Sequence, residues 1–430
     1  MLRRAHRSAF FTILLLAGPA AVQGQEARSV VPEEVGLSSA RLERLNHVLT
    51  EYVEAGELPG AVALIARHGQ VAYLETFGMR DRESNSPQRA GDIFRIASQS
   101  KAVVTVAAMI LQEEGRLLIS HPVSLYLPEF AQTTVAVANP DGEIEVVPAK
   151  RPITVRDLMT HTSGVGYGWG PGADRWEAAG IQGWYFAHRD EPIRETVRRM
   201  AALPFEAQPG EAWVYGYSTD ILGALVEVVS GMPLDEFVTA RILEPLDMHD
   251  THFYLPTEKR DRLSTVYSID GDGMHRATGT GGMYGQGHYV DGPRKSFSAG
   301  AGLLSTARDY YRFLQMMLNG GELDGARILS PKTVELMTAN HVGELIARFA
   351  PGTGFGLGFS IVENLGARGS SGSVGEYGWG GAYHSTYWVD PVEDLVVVYF
   401  TQLAPAGGLD DQARLRELIY QAITEMAISH

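Results

Sequence analysis

Arg95-Ile-Ala-Ser98-Gln-Ser-Lys101 opens an apolar run that continues as Ala-Val-Val-Thr-Val-Ala-Ala-Met-Ile-Leu111. On a helix, a spacing of three residues places Ser98 and Lys101 on one face, one turn apart. A serine hydroxyl is a weak nucleophile until a base takes its proton, and a neighbouring lysine can serve as or assist that base. The first turn of a helix also supplies free N–H groups and a positive dipole end. The stretch therefore predicts a nucleophilic serine at the start of a buried, central helix.

The N-terminus has the pattern of a secretory signal peptide. A basic start, Met1-Leu-Arg-Arg-Ala-His-Arg7, precedes an apolar run over 9–21, and Val22-Gln-Gly24 puts small residues before Gln25. That run is too short to span a bilayer. We expect residues 1–24 to be removed and the mature protein to be periplasmic or secreted, without stable membrane insertion. A retained N-terminal anchor is the alternative.

Composition narrows the classes of partner and cofactor. The chain has no cysteine, so disulfides, thiolate metal sites and lipid attachment through an N-terminal cysteine are excluded. Its formal net charge is −15, and removal of 1–24 would take away three arginines and leave −18. An acidic surface disfavours nucleic acid and anionic lipid as partners. The phosphate-loop and His-Glu-x-x-His motifs are absent from the sequence, so we expect no cofactor and no metal.

The order of predicted elements indicates an α+β protein. Strands and helices are predicted in both terminal thirds, and mostly helices between them. We therefore expect residues 25–430 to form one catalytic unit, with an α/β part from about 33–95 and 298–430 and a helical part from about 96–297. The main predictions are a helix over 38–56, a hairpin of 61–66 and 71–77 turning at Gly69, a strand over 395–401 and a last helix over 410–427.

The segment 255–297 is rich in glycine and tyrosine, as in Thr278-Gly-Thr-Gly-Gly-Met-Tyr-Gly-Gln-Gly287. A loop this long inside a compact domain is usually functional, so we expect it to border a cleft. Disorder is the alternative.

Two further stretches carry candidate chemistry. Tyr215 follows Ser98 by 117 residues, and a cation such as Lys101 nearby would stabilise its phenolate and make it a base near neutral pH. The alternative is a core tyrosine before a helix.

Downstream, Trp379-Gly380-Gly381-Ala382 enters a strand, and its glycines allow a ligand to approach the backbone. The N–H groups of Ser98 and Ala382 would form an oxyanion hole; a plain glycine-rich hairpin is the alternative.

Taken together, Ser98-x-x-Lys101, Tyr215 and Trp379-Gly-Gly resemble the serine β-lactamase and penicillin-binding-protein superfamily. The nearest branch is that of the class C β-lactamases and the family VIII carboxylesterases, and the resemblance covers about residues 33–425. It implies a β-lactamase-like (transpeptidase) fold, in which an antiparallel sheet flanked by helices packs on a mostly helical domain. It also implies a cofactor-free serine hydrolase that forms an acyl-enzyme on Ser98, with Lys101 and Tyr215 acting together as the general base.

Two departures from the β-lactamase pattern favour an ester as the small-molecule substrate. Tyr217 stands where that pattern has an asparagine, and Trp379 stands where it has a lysine. Loss of an amide and a cation weakens binding of an anionic β-lactam, because a charge-assisted hydrogen bond is worth roughly 1.5–3 kcal/mol. We expect Tyr217, Trp379, Gly380 and Gly381 to contact an uncharged substrate. A β-lactamase, a D-Ala-D-Ala-type peptidase and a non-catalytic penicillin-binding-like receptor are the alternatives.

Other candidate residues are interpreted mainly as structural. His161, in His161-Thr-Ser-Gly164, is interpreted as a structural turn residue. A cluster near the expected rim of the cleft either forms an acyl pocket or only packs in the core: Trp169, Trp176, Trp184 and Tyr185. No Gly-x-Ser-x-Gly motif occurs, which argues against an α/β-hydrolase.

Overall fold

The computed structural model describes residues 30–279 and 282–427. The predicted signal peptide, 1–24, lies outside the described residues. The strands are β1 (Gly60–Arg67), β2 (Gln70–Asp81), β3 (Ser86–Pro87), β4 (Phe94–Arg95), β5 (Thr134–Ala138), β6 (Ile144–Pro148), β7 (Tyr267–Asp270), β8 (Gly273–Arg276), β9 (Leu304–Ser305), β10 (Glu322–Leu323), β11 (Ala326–Arg327), β12 (Thr353–Phe355), β13 (Ser360–Val362), β14 (Tyr377–Gly381), β15 (Ser385–Asp390) and β16 (Leu395–Thr401).

The two ends of the chain build one antiparallel sheet. Within the described residues its strand order is β12-β13-β14-β15-β16-β1-β2-β3, so β1 pairs with β16 across more than 300 residues of sequence. The predicted N-terminal hairpin is confirmed, because β1 and β2 are joined by His68 and Gly69 with φ of 54° and 70°. Two successive residues with positive φ make the tight turn whose twist matches antiparallel strands.

Helices cover both faces of the sheet. They are α1 (Ser39–Glu54), α2 (Ser100–Glu113), α3 (Val155–Met159), α4 (Ala173–Ala178), α5 (Ile193–Met200), α6 (Ser218–Ser230), α7 (Leu234–Val238), α8 (Ala307–Leu318), α9 (Pro331–Met337), α10 (Leu365–Arg368) and α11 (Asp411–Tyr420). Every residue of β1 is buried, and its side chains alternate between two cores. Ala63 and Ile65 pack with α1 and α11, whereas Val62 and Leu64 face α2, α8 and the helical region.

Most predicted elements are present, with two differences that matter. The C-terminal helix ends at Tyr420, not at 427, and the chain continues until Ile423 bridges to Leu37. The segment 255–297 contains the β7–β8 hairpin, so its described residues are more regular than a long loop. In residues 30–279 and 282–427, we find no helix with the length and apolarity needed to cross a membrane.

A buried arginine joins the two ends of the chain. The Arg67 guanidinium lies 2.8 Å from the Glu393 carboxylate and also donates to the carbonyls of Val35, Gly36 and Glu425 at 2.6–3.0 Å. The Arg67 and Glu393 side chains are only 1% and 5% exposed. Because a buried charge must be fully compensated, this cluster specifies how the N- and C-terminal segments meet at the sheet.

We predict that Arg67→Ala lowers the free energy of unfolding by about 3–5 kcal/mol, because it leaves the Glu393 charge buried without its partner. Denaturant unfolding of the purified variant measures this loss. Lys332→Ala is the control: Lys332 pairs with Glu335 on the surface, and exposed pairs contribute at most about 1 kcal/mol. Equal losses in the two variants would contradict the prediction.

Candidate active site

Ser98 lies in a tight turn of 3-10 helix, Ala97–Gln99, that leads directly into α2. Ala97 has φ of 44°, an unfavourable conformation for a residue with a side chain. The surrounding structure holds this turn: Ile96 N donates to Leu303 O at 3.1 Å, and the Tyr310 hydroxyl donates to Gln99 O at 2.9 Å. Backbone strain of this kind concentrates at functional sites, where the fold over-determines the geometry.

A cavity of about 500 Å³ opens above Ser98. It lies where the end of β14 meets the turn before α2 and the loops of the helical region. Its wall is formed by Ser98, Tyr167, Trp184, Tyr215, Trp379, Gly380, Gly381, Ala382, His384, Ser385, Leu403, Ala406 and Gln412.

The buried Lys101 ammonium is the centre of the polar contacts below this cavity. Its Nζ lies 3.3 Å from Ser98 Oγ, 3.1 Å from the Tyr167 hydroxyl and 2.7 Å from the Gly300 carbonyl. An ammonium has three protons to donate, so these acceptors use all of them. The structure thus brings Ser98 and Lys101 together as the sequence predicts.

Tyr215 approaches Lys101 through its ring, not through its hydroxyl. Lys101 Nζ lies 4.7 Å from the Tyr215 ring centroid, a cation–π distance, and the Tyr215 hydroxyl accepts a hydrogen bond from Trp379 Nε1 at 2.8 Å. A donor at the phenolic oxygen stabilises the phenolate. Trp379 therefore lines the cavity, as predicted, and has a second role that the sequence did not predict, the support of Tyr215.

Tyr167 is a site residue that the sequence reasoning missed. Its hydroxyl accepts from Lys101, and its ring meets that of Tyr215 edge-on at 5.8 Å. Desolvation raises the pKa of Tyr167 well above its ordinary value, and the nearby Tyr215 phenol adds to the rise, so Tyr167 stays protonated. The sequence feature that could have identified Tyr167 is its position between two glycines, Gly166 and Gly168. The chain is closely packed there, since a Cβ on Gly166 would lie 1.8 Å from the Glu206 carboxylate.

The predicted oxyanion donors both border the cavity. Within the described residues, neither the Ser98 N–H nor the Ala382 N–H donates to a protein acceptor, so both remain available to a ligand. Gly381 explains how β14 comes so near the nucleophile, because a Cβ there would lie 2.6 Å from Ile96 O. Only glycine permits that approach. The oxyanion hole itself stays a prediction.

Tyr217 does not line the cavity, which corrects the expectation that it contacts substrate. It is fully buried, its hydroxyl donates to Gly183 O at 2.8 Å, and its ring stacks on Trp176 at 5.6 Å. It supports the wall behind Tyr167, 5.1 Å away. Among the tryptophans of this region, Trp184 reaches the cavity and Trp176 packs in the core.

A buried carboxylate organises the loop that receives Lys101. Asp220 Oδ1 accepts from Ser298 Oγ at 2.7 Å and from Gly300 N at 3.0 Å, while the Gly300 carbonyl accepts from Lys101. Burial raises the pKa of Asp220, and the positive charge of Lys101 opposes that rise. Asp220 thus interacts with the Lys101 charge and positions the carbonyl partner of the ammonium.

His161 is buried against the Tyr215 ring, with ring centroids 4.5 Å apart, and its φ is 57°. Burial lowers the pKa of His161 well below its ordinary value, and the Lys101 charge lowers it further. It therefore packs as a neutral ring, in keeping with a structural turn residue. Within the described residues, His, Asp and Glu form no group that could bind a metal ion.

Comparison with known proteins agrees with this geometry. The beta-lactamase family model matches residues 45–421. Esterase EstB of Burkholderia gladioli is 32% identical over 396 residues, covering 89% of this chain and 95% of EstB. Lovastatin esterase of Penicillium rubens is 30% identical over 391 residues, covering 83% and 92%. The structure of EstCE1, described as a hydrolase with promiscuous acyltransferase activity, superposes with a TM-score of 0.77 at 29% identity, covering 89% and 98%. The predicted β-lactamase-like α+β fold is confirmed.

We predict that Asp220→Asn lowers kcat by at least about tenfold, because a misplaced Gly300 carbonyl releases the Lys101 ammonium from its position, and a hydrogen bond to a charged group is worth about 1.5–3 kcal/mol. Steady-state kinetics measure the effect. Asp309→Asn is the matched control, since Asp309 also accepts from one backbone N–H and one hydroxyl, but its partners are Asp250 and Thr251 and not the loop that receives Lys101. Equal kinetic losses in both variants would contradict a positioning role for Asp220.

The depressed pKa of His161 predicts a loss of stability in acid. As the pH falls through about 6.5, His161 binds a proton in the unfolded chain but stays neutral in the folded protein. The free energy of unfolding of the wild type therefore falls by about 1.4 kcal/mol by pH 5.5 because of this group. His161→Asn, which tolerates positive φ, removes this contribution. Denaturant unfolding at pH 7.5 and 5.5 compares the two proteins, and an identical pH dependence would show the prediction to be wrong.

Proposed function

Because this chain belongs to the beta-lactamase family, we propose that it is a serine carboxylesterase that hydrolyses uncharged esters through an acyl-enzyme on Ser98. The observation that carries the proposal is the contact of Lys101 Nζ with Ser98 Oγ at 3.3 Å beneath an open cavity. The esterase names of EstB and lovastatin esterase support the same reaction class.

The proposed acylation step uses the groups around the nucleophile. Ser98 Oγ attacks the ester carbonyl carbon while its proton passes to the Lys101–Tyr215 pair, which enters the step with one proton fewer than an ammonium and a neutral phenol together. The negative charge that develops on the carbonyl oxygen is stabilised by the N–H groups of Ser98 and Ala382. The carbon–alkoxy bond then breaks, and the alcohol leaves with the proton held by the pair. Lys101 Nζ lies 4.7 Å from the Tyr215 ring centroid, and in this proposal the two residues act together as the base.

Deacylation repeats these steps with water as the nucleophile. Water adds to the acyl carbon, its proton passes to the Lys101–Tyr215 pair, and Ser98 Oγ leaves and recovers that proton. Tyr167 remains protonated throughout and serves to hold Lys101.

The cavity wall favours an ester over a β-lactam. Among the described residues that line it, none is lysine or arginine, so a substrate carboxylate has no fixed cation to pair with. The indole N–H of Trp379 is occupied by Tyr215, which leaves the apolar ring for the substrate. These features support an uncharged acyl or alcohol group at this end of the cavity.

We predict that the mature protein turns over p-nitrophenyl butyrate with a far higher kcat/KM than nitrocefin, and that Ser98→Ala abolishes both reactions. The two substrates are assayed side by side on the same preparation. Dominant nitrocefin turnover would instead establish a β-lactamase, and activity that survives in Ser98→Ala would remove Ser98 from the mechanism.

We predict that Tyr215→Phe lowers kcat by about 10²–10⁴, the usual contribution of a general base. Tyr167→Phe is the matched variant, since it removes the other phenol near Lys101 but keeps the Gly300 contact. We expect the smaller loss of the two, on the order of ten- to a hundredfold, from one hydrogen bond to the Lys101 ammonium. Circular dichroism checks the fold of both variants. The reverse order of effects would make Tyr167 the proton acceptor.

A further inference from the structure

A histidine–aspartate pair forms part of the cavity wall just beyond the oxyanion position. His384 follows Ala382 by two residues, and both line the cavity. His384 Nε2 lies 2.5 Å from Asp411 Oδ1, and the Tyr399 hydroxyl donates to Asp411 Oδ2 at 2.7 Å. The Asp411 side chain is completely buried at the start of α11. None of the catalytic steps described above uses this pair.

The hydrogen bonds assign the tautomer of His384. A carboxylate only accepts hydrogen bonds, so Nε2 of neutral His384 carries the proton and donates it to Asp411. Nδ1 is then left with its lone pair. Within the described residues Nδ1 has no hydrogen-bond partner, and 15% of the His384 side chain remains exposed. The imidazole therefore presents an acceptor to a ligand in the cavity.

The backbone shows that this histidine is held in place. His384 has φ of 60°, a conformation that glycine adopts freely and histidine rarely does, and its N–H donates to Gly381 O at 3.1 Å. The bond to Asp411 fixes the ring in that conformation. An imidazole fixed in this way has lost its rotational freedom before any ligand arrives, so a hydrogen bond to it costs little further entropy.

Charge decides what kind of group can bind there. The Asp411 carboxylate lies directly behind the His384 ring, and no lysine or arginine is among the described residues that line the cavity, so an anionic group finds no fixed cation there. The other charges on the first turn of α11, Asp410 and Arg414, pair with each other. Gln412, the residue after Asp411, lines the same cavity and can both donate and accept. The combination suits a neutral group with a proton to donate.

We propose that His384, positioned by Asp411, is a specificity-determining residue that accepts a hydrogen bond from a hydroxyl group of the ester substrate. The proposal rests on the proposed esterase function. It means that the cavity wall differs on the two sides of Ala382. The aromatic Trp379 lies before Ala382 in the chain, and the polar His384 lies after it. The hydroxyl belongs to the acid or to the alcohol part of the ester, and the two substrate pairs below distinguish these sources.

The test compares esters that differ by one hydroxyl. One pair is p-nitrophenyl 3-hydroxybutyrate and p-nitrophenyl butyrate; the other is 2-hydroxyethyl butyrate and propyl butyrate. We expect about a tenfold preference in kcat/KM for the hydroxylated member of one pair, the effect of one well-placed hydrogen bond. His384→Gly, which suits the positive φ, should bring that ratio close to one.

His68→Gly is the matched control. His68 also has a positive φ, 54°, and also pairs with an aspartate, with Nδ1 3.0 Å from Asp394 Oδ2. It lies in the β1–β2 turn and does not line the cavity. The control variant should keep the wild-type preference. A preference that persists in His384→Gly would overturn the proposal, and so would the absence of any preference in the wild type.

A second readout separates this proposal from the esterase function. In Ser98→Ala protein carrying ¹⁵N-labelled histidine, the hydroxylated ester of the preferred pair should shift the His384 imidazole nitrogen signals, and its plain counterpart should not. This binding signal does not require turnover. Failure of the wild type to hydrolyse p-nitrophenyl butyrate would refute the esterase function, whereas nitrogen signals unchanged by both hydroxylated esters would refute the role of His384.

Discussion

The buried ammonium of Lys101 is the constraint on which the rest of the site depends. A charge in the protein interior is tolerated only if its protons are all bonded and an opposite charge is near. The three acceptors come from distant parts of the chain: Ser98 before α2, Tyr167 after α3 and Gly300 before β9. Asp220 on α6 holds the Gly300 backbone in place, and its carboxyl group interacts with the Lys101 charge. Satisfying one side chain thus ties the helical region to the nucleophile.

The second constraint is the close approach of β14 to the turn that carries Ser98. Gly381 brings the strand against Ile96 O, and this contact places Ala382 and Ser98 at the same cavity. The approach depends on the sheet, in which β14 is held through β15 and β16 to the central β1. Buried Arg67, at the end of β1, joins that sheet to both ends of the described chain.

Trp379 links substrate preference to catalysis. Where the resembling β-lactamases carry a lysine, this chain has an indole whose N–H bonds to the Tyr215 hydroxyl. One residue thereby removes the cation that an anionic substrate needs and supports the phenol that we assign to proton transfer. At the far side of Ala382, the His384–Asp411 pair gives the cavity a polar end, and among the described residues that line the cavity there is no lysine or arginine.

The sequence by itself determined the features that depend on residues close in the chain. The hairpin at Gly69, the start of α2 and the Ser98–Lys101 contact follow from local spacing and turn chemistry, which act over a few residues. Tyr217 was misplaced because its position beside Tyr215 does not say which of the two side chains faces the cavity. Packing against Trp176 decides that.

Only the tertiary structure decided the remaining parts of the site. It brought Tyr167 to Lys101 across 66 residues, Asp220 to Gly300 across 80 residues, and Asp411 to His384 across 27 residues. No local periodicity encodes such contacts, because they arise where separate elements pack and where buried polar groups must find partners. The nucleophile could be found from the sequence, whereas the groups that hold its lysine and shape its cavity required the fold.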